Sequence, residues 1–183
     1  MSFNIFREFS SDDELLQYFH EEIQMQGRHD ELLQQRSVYR IAPNINMFVG
    51  CNILHLSLKY GRSKAVLFKL IEIGGRELVM QKDGYGYNVL QIIFQNIHDT
   101  LHTQVPIEVV LELIEIGGRE IVMERDSEGL TILHNLCTIQ EAPIEVVSKL
   151  LDIGGRELAM VGDNDNDTAL HYACIVKAPI EVI

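Results

Sequence analysis

The chain has 183 residues, 46% of them hydrophobic, and a formal net charge of -12. This acidic balance argues against nucleic acid or an anionic membrane as a partner, because both need basic surface, and it fits a soluble protein or one with a basic protein partner. The apolar runs are too short to span a bilayer and the N-terminus lacks a secretory signal, so we expect an intracellular protein, cytoplasmic or nuclear.

Residues 1–45 are predicted to form an N-terminal helical capping unit. Ser11-Asp-Asp-Glu14 has the pattern of a capping box before an apolar run, and Asp30-Glu-Leu-Leu33 would belong to a second helix. Terminal units of repeat proteins are commonly atypical and more polar than internal ones, as this segment is. Residues 37–51 would then form the turn region that leads into the next unit.

Two signatures recur along the rest of the chain. The first has seven of eleven positions identical in its three copies, which are Leu70-Ile-Glu-Ile-Gly-Gly-Arg-Glu-Leu-Val-Met80, Leu113-Ile-Glu-Ile-Gly-Gly-Arg-Glu-Ile-Val-Met123 and Leu150-Leu-Asp-Ile-Gly-Gly-Arg-Glu-Leu-Ala-Met160. The second is Asn52-Ile-Leu-His55, Asn88-Val-Leu-Gln91, Thr131-Ile-Leu-His134 and Thr168-Ala-Leu-His171, at spacings of 36, 43 and 37 residues. This regularity predicts stacked units, approximately 46–80, 81–123, 124–160 and an incomplete 161–183.

Each unit is predicted to contain two helices. The first begins at the Asn or Thr of the second signature, which is a favourable N-cap, and runs for about two turns. The second begins at a proline, as in Pro106, Pro143 and Pro179, because the first helical position does not need the missing N–H. Glycine pairs then end the second helix, at Gly74-Gly75, Gly117-Gly118 and Gly154-Gly155.

The segment after each glycine pair is predicted to be a short link followed by a turn. The turns are Asp83-Gly-Tyr-Gly86, Asp126-Ser-Glu-Gly129 and Asp163-Asn-Asp-Asn166. The arginine after each glycine pair would bond carbonyl groups at a helix end or pair with a glutamate of an adjacent unit. These arginines are Arg76, Arg119 and Arg156.

The chain resembles the ankyrin repeat family over roughly residues 46–183. Thr168-Ala-Leu-His-Tyr-Ala173 matches the family signature T-P-L-H-x-A except at Ala169, and Thr131-Ile-Leu-His-Asn-Leu136 matches it less closely. The period is nearer 37 residues here than the usual value of about 33. The resemblance implies an all-α, ankyrin-type helical repeat solenoid, with helix-turn-helix pairs joined by turns or short hairpins. It also implies that the signature histidine braces neighbouring turns by hydrogen bonds.

The sequence gives only weak evidence for a catalytic or metal site. His134-x-x-Cys137 and His171-x-x-Cys174 do not specify a zinc site, and Asp163-Asn-Asp-Asn-Asp167 lacks the glycine and glutamate of a calcium loop. We therefore predict no enzyme activity, no metal and no cofactor. The three cysteines, Cys51, Cys137 and Cys174, are predicted to be buried free thiols in a reducing compartment.

These patterns predict a non-catalytic protein–protein interaction module that binds a partner on the concave face of the stack. Repeated residues build the scaffold, so the variable exposed residues should carry specificity. The candidate contacts are Lys82, Tyr85, Tyr87, Arg125, Glu128, Leu130, Asp165 and Asp167 at the turn tips, and Gln91, Asn135 and Tyr172 on the first helices.

Two alternatives remain open at this point. The chain stops inside a Pro-Ile-Glu-Val opening without a polar cap, so we expect a longer array, or a partner or second copy that covers this end. The protein would then be a structural, self-assembling scaffold segment. It would otherwise be the regulatory or targeting part of a longer enzyme.

Overall fold

The computed structural model describes residues 11–18, 37–39, 48–94, 105–139 and 142–176. The described chain is predominantly helical, as predicted. Its elements in chain order are α1 (Asp12–Tyr18), β1 (Ser37–Tyr39), β2 (Phe48–Cys51), α2 (Ile53–Lys59), α3 (Lys64–Met80), α4 (Val89–Phe94), α5 (Ile107–Met123), α6 (Ile132–Leu136), α7 (Ile144–Met160) and α8 (Ala169–Val176). None of the helices in these ranges is long and apolar enough to cross a membrane.

The N-terminal segment departs from a purely helical structure. Helix α1 begins where the capping box predicts, and the Glu14 backbone N–H donates to Ser11 Oγ at 3.3 Å. The predicted turn region 37–51 instead contains two antiparallel strands, with Ser37 opposite Cys51 and an irregular register. Aromatic and β-branched residues in both strands favour this extended backbone. The second helix predicted at 30–33 lies outside the described residues.

The short helices α2, α4, α6 and α8 begin directly after Asn52, Asn88, Thr131 and Thr168, as predicted. In α2 the His55 backbone N–H donates to Asn52 Oδ1 at 2.9 Å, and the Asn52 N–H donates back to His55 Nδ1 at 3.1 Å. In α4 the Gln91 Oε1 accepts from the Asn88 N–H at 3.0 Å and so replaces the histidine ring nitrogen. This reciprocal cap satisfies two N–H groups of a helix start and fixes both side chains.

The long helices α3, α5 and α7 each contain a kink at the second glycine of the pair. Gly75 has φ 49° and ψ -148°, and Gly118 and Gly155 have nearly the same values. The helix therefore does end at the glycine pair, as predicted. The predicted non-helical link is wrong, because residues 76–80 form a further helical turn that buries Leu78 and Val79. Arg, Glu, Leu and Met favour helical backbone, so the chain resumes a helix at once.

The first glycine of each pair has a packing role. A Cβ atom on Gly74 would lie 2.4 Å from Leu78 Cβ, closer than atoms can approach. Gly117 and Gly154 have the same relation to Ile121 and Leu158, at 2.3 Å and 2.4 Å. The two helical pieces on either side of the kink can therefore meet only because this position has no side chain.

Contacts between elements follow the order of the repeats. Long helix α3 contacts α5 and α5 contacts α7, while short helix α2 contacts α4, α4 contacts α6 and α6 contacts α8. A continuous apolar cluster runs through these contacts, with Leu54, Leu90, Leu113 and Ile114 fully buried. Each unit in this part of the chain therefore buries its apolar residues against its neighbours in sequence.

Candidate interaction surface at the turns

The three turns that follow the long helices share one hydrogen-bonded frame. In the first turn, Asp83 Oδ1 accepts from the backbone N–H groups of Tyr85 and Tyr87 at 2.9 Å and 3.0 Å. The Asp83 N–H donates to the Tyr87 carbonyl at 2.9 Å and closes the turn. Asp126 and Asp163 make the same bonds in the second and third turns. The aspartates thus hold three similar turns in a fixed conformation.

The fourth turn position requires a left-handed backbone. Gly86 and Gly129 have φ of 88° and 82°, and Asn166 has φ of 66° at the same position. At Gly129 a side chain is also excluded by space, because a Cβ would lie 2.6 Å from Asn164 Oδ1. Asparagine is one of the few other residues that tolerates this conformation, so the third turn keeps the shape without glycine.

The third position is exposed in all three of these turns. Tyr85, Glu128 and Asp165 occupy this position and are exposed, with Tyr85 55% exposed. We refer to these three residues as the tip row. The three turns have the same backbone hydrogen bonds, but the side chains at this position differ. The tip row therefore differs in chemistry between units, although the backbone conformation that carries it is the same. Two residues further along, Tyr87, Leu130 and Asp167 are half-buried.

Two predicted contact residues instead connect neighbouring turns. Lys82 forms an ion pair with Glu124 of the next unit. The Arg125 guanidinium donates to the Gly129 carbonyl at 2.9 Å and to the Gly162 carbonyl of the next unit at 2.8 Å. These side chains are engaged within the stack, so their first role is to hold adjacent turns together.

Asn164 is a connecting residue that the sequence did not indicate. Its backbone N–H donates to the Glu128 carbonyl at 3.1 Å, and its side-chain amide donates to the Ser127 carbonyl at 3.0 Å. The equivalent residues of the other turns are Gly84 and Ser127, so no repeated pattern marks the position. The second and third turns are therefore joined by direct hydrogen bonds from both Arg125 and Asn164.

The three candidates on the short helices lie in different environments. Gln91 is only 1% exposed and serves as the cap of α4, so it is not on the surface where it was predicted to contact a partner. Asn135 is half-buried. The Tyr172 hydroxyl donates to Asp163 Oδ2 at 2.6 Å. This bond raises the pKa of Tyr172 to about 12 and lowers the pKa of the Asp163 carboxyl.

His134 joins the third unit to the fourth. Its Nδ1 accepts from the Thr131 N–H at 3.1 Å, so the proton of the neutral ring is on Nε2, which donates to the Asp167 carbonyl at 3.1 Å. Burial lowers the pKa of His134, which keeps the ring neutral and able to make both bonds. The bracing role implied by the resemblance is thus present at this residue.

An open groove of about 760 Å³ lies beside the first turn. Three glutamates line it, of which Glu120 and Glu124 form ion pairs with Arg76 and Lys82. Glu77 has no partner among the described residues. The groove therefore adds acidic surface next to Tyr85.

The three cysteines differ in their burial. Burial raises the pKa of Cys137 to about 11 and also raises that of Cys51, so neither is a ready nucleophile. Cys174 is exposed, and its predicted burial is wrong because no further unit covers α8 in the described chain. No group of three or more His, Cys, Asp or Glu side chains that could hold a metal occurs in those ranges.

No protein-family model matches this sequence, and no curated protein matches it.

Proposed function

We propose that this protein is a non-catalytic protein-interaction module, an ankyrin-type stack of repeat units that binds a protein partner through the tip row. The observation that carries the proposal is the contrast between constant and variable turn positions. Asp83, Asp126 and Asp163 accept hydrogen bonds within their own turns. In contrast, Tyr85, Glu128 and Asp165 differ in chemistry and are exposed. A scaffold that presents different side chains at equivalent exposed positions is suited to recognition.

The tip row also indicates the chemistry of the partner. Tyr85 offers a large, half-exposed aromatic surface, and aromatic side chains are frequent anchors in protein interfaces. Glu128 and Asp165 follow at one-unit spacing, where helices of neighbouring units are commonly about 10 Å apart. We therefore expect a partner segment with an apolar group opposite Tyr85 and basic side chains opposite the two acids. The net charge of -12 would favour its approach.

The turns are already ordered before binding. Aspartate bonds within each turn and the bonds of Asn164 and Arg125 between turns hold the tip row in place. A binding surface that is ordered in advance loses little conformational entropy when the partner docks. The free thiols of Cys51 and Cys137 are compatible with the reducing interior of a cell, where we place this interaction.

The test measures binding of a partner recovered from native cells by the full chain. We expect the triple variant Tyr85→Ala, Glu128→Lys, Asp165→Lys to bind that partner at least about tenfold more weakly, because it loses an anchor and reverses two charges. The control is Tyr60→Ala, which removes another exposed tyrosine, located at the end of α2 and outside the turns. Equal affinity of the triple variant and the wild type, with unchanged circular dichroism, would exclude the tip row as the binding surface.

A further inference from the structure

The first and second turns are joined less closely than the second and third. In the third turn, Asn164 donates from its backbone N–H to the Glu128 carbonyl and from its side chain to the Ser127 carbonyl. Ser127 is the equivalent residue of the second turn, and its N–H and hydroxyl make no hydrogen bond to the first turn within the described ranges. Gly84 lines the groove beside the first turn and has no side chain to fill it. An open volume of about 760 Å³ therefore lies between the first turn and the end of α5.

This groove carries a net negative charge. The acidic residues that line it are Glu77, Asp83, Glu120 and Glu124. Two cations offset them, because Lys82 pairs with Glu124 and Arg76 pairs with Glu120. The excess of negative charge remains when Glu77 is left out of the count. A cationic group is therefore the occupant that fits the groove by charge.

Glu120 keeps one carboxylate oxygen for a further donor. Arg76 Nη2 donates to Glu120 Oε2 at 2.6 Å, and Oε1 accepts no hydrogen bond from the described residues. The Glu120 side chain is 70% exposed. Glu124 is engaged at both oxygens, by Lys82 at Oε1 and by Asn88 Nδ2 at Oε2. Glu120 is therefore the better acceptor for a cation that comes from outside the stack.

The groove suits the side chain of an arginine. Met80 lines it, is half-buried, and offers an apolar surface for the stem of a long side chain. The planar guanidinium can donate several hydrogen bonds at once, whereas a lysine ammonium acts as a point charge. The stack itself binds an arginine at this helix end, since Arg76 donates to the carbonyl groups of Ile116 and Gly117 and to Glu120.

We propose that the groove receives an arginine side chain of the protein partner, next to the apolar group that contacts Tyr85. The inference rests on the proposed function, in which the tip row is the binding surface. Gly84 and Gly86 both line the groove and Tyr85 stands between them, so the two contacts are adjacent. The partner segment would therefore carry an arginine close in sequence to its apolar anchor.

The probe for this site is N-acetyl-argininamide, titrated into the isotope-labelled full chain at constant ionic strength and followed by backbone amide chemical shifts. We expect the amides of Gly84, Gly86 and Glu120 to move and to saturate with a Kd of about 1–10 mM, as is usual for so small a ligand in an open site. N-acetyl-citrullinamide has nearly the same shape but no charge, and should bind at least about fivefold more weakly. N-acetyl-lysinamide should bind at least about threefold more weakly.

Three results of the titration would overturn the proposal. They are the absence of shifts at these amides well above the expected Kd, equal binding of the citrulline compound, and equal binding of the lysine compound. The first would show that the groove is not a binding site. The second would show that charge is not recognised there, and the third that the guanidinium is not.

A pair of matched variants tests the role of Glu120. Glu120→Gln keeps an acceptor for Arg76 but removes the charge, and should raise the Kd for N-acetyl-argininamide at least about threefold. Glu157→Gln is the control, because Glu157 pairs with Arg119 in the same way but does not line the groove. It should change the Kd by less than about 1.5-fold. Equal effects of the two variants would contradict the assignment of the site.

Binding of the partner recovered from native cells separates this inference from the proposed function. Glu120→Gln should weaken that binding at least about threefold, and Glu157→Gln should not. Unchanged affinity of Glu120→Gln, together with weak binding of the triple tip-row variant, would refute the groove and retain the tip row. Unchanged affinity of the triple variant would refute the tip row, and with it the partner's arginine, even if N-acetyl-argininamide bound in the groove.

Discussion

The Arg76 guanidinium donates a 2.8 Å hydrogen bond to the carbonyl oxygen of Gly117, one repeat further along the chain. The glycine at position 118 turns the backbone out of the helix, so the carbonyl groups just before it lack their usual helical partners. An arginine from the preceding unit supplies the missing donors and also reaches the glutamate two residues after the kink. The recurring Gly-Gly-Arg-Glu segment therefore contains both partners of the link between units. Its arginine donates to the next unit, and its helix-end carbonyl groups and glutamate accept from the preceding one.

We predict that Arg119→Ala lowers the free energy of unfolding by about 1–2 kcal/mol, because two helix-end carbonyls lose a charged donor on a half-exposed side chain. Chemical denaturation monitored by circular dichroism measures this loss. Arg156→Ala is the matched control, since this arginine has the same sequence context but no partner in the described chain, and it should change stability by less than about 0.5 kcal/mol at low protein concentration. Equal losses for the two variants would show that the carbonyl bonds do not stabilise the stack.

The links that Arg76 and Arg119 make to the next unit could be predicted from the sequence, because identical residues one period apart occupy equivalent places in a series of repeats. The same reasoning identified the helix starts at Asn52 and Thr131 and the helix stop at Gly75. It failed where surroundings differ between copies. Cys174 shares its position with Cys137, but within the described residues only Cys137 is followed by another unit, and Cys137 is buried whereas Cys174 is exposed.

The candidate site was predicted less well, because exposure at a turn does not reveal hydrogen bonds across units. Lys82 and Arg125 are variable polar residues, which is typical of contact residues, yet both are engaged by the neighbouring turn. Gln91 was selected because it differs from the histidines at its position. The substitution preserves the cap, since the Gln91 side-chain oxygen accepts from the Asn88 N–H as His55 Nδ1 accepts from the equivalent Asn52 N–H.

The buried His55 side chain should make the stability of the protein sensitive to acid. Burial lowers the pKa of His55 to about 3, and its Nε2–H has no partner within the described chain. The unfolded chain therefore binds a proton on this residue below about pH 6.5 while the folded chain does not. Stability contributed by neutral His55 is present above that pH and is lost as the pH falls toward 3, with a loss of about 2 kcal/mol at pH 5.

The measurement is urea denaturation of wild type and His55→Gln at pH 7 and pH 5. Glutamine should preserve the cap, as Gln91 does in α4, so the variant should remain folded at pH 7. The decrease in unfolding free energy between the two pH values should be about 2 kcal/mol smaller in the variant than in the wild type. An identical decrease in both proteins would show that His55 is not responsible for the acid sensitivity. His134, which has a lowered pKa, is present in both and cancels in the comparison.

The two glycines of a pair should respond differently to substitution, and their coupling to Leu78 distinguishes them. Gly74→Ala places a methyl group against Leu78, whereas at Gly75 no atom lies within 4 Å of the added Cβ and the cost comes from the backbone conformation. Each variant should lose about 1–3 kcal/mol of unfolding free energy. Gly75→Asn should be no better than Gly75→Ala, because φ 49° with ψ -148° is far from the left-handed region that asparagine accepts.

Leu78→Ala is the second mutation of a double-mutant cycle. Combined with Gly74→Ala it should cost less than the sum of the single losses, by at least about 0.5 kcal/mol, because alanine at position 78 removes the contacts to Cδ2 and Cγ and leaves only the contact to Cβ. Combined with Gly75→Ala it should be additive, since that glycine is needed for its dihedral angles and not for space. Coupling between Leu78 and Gly75, with additivity between Leu78 and Gly74, would contradict this prediction. Gly75 would then be the glycine that is required for space, and Gly74 would not be.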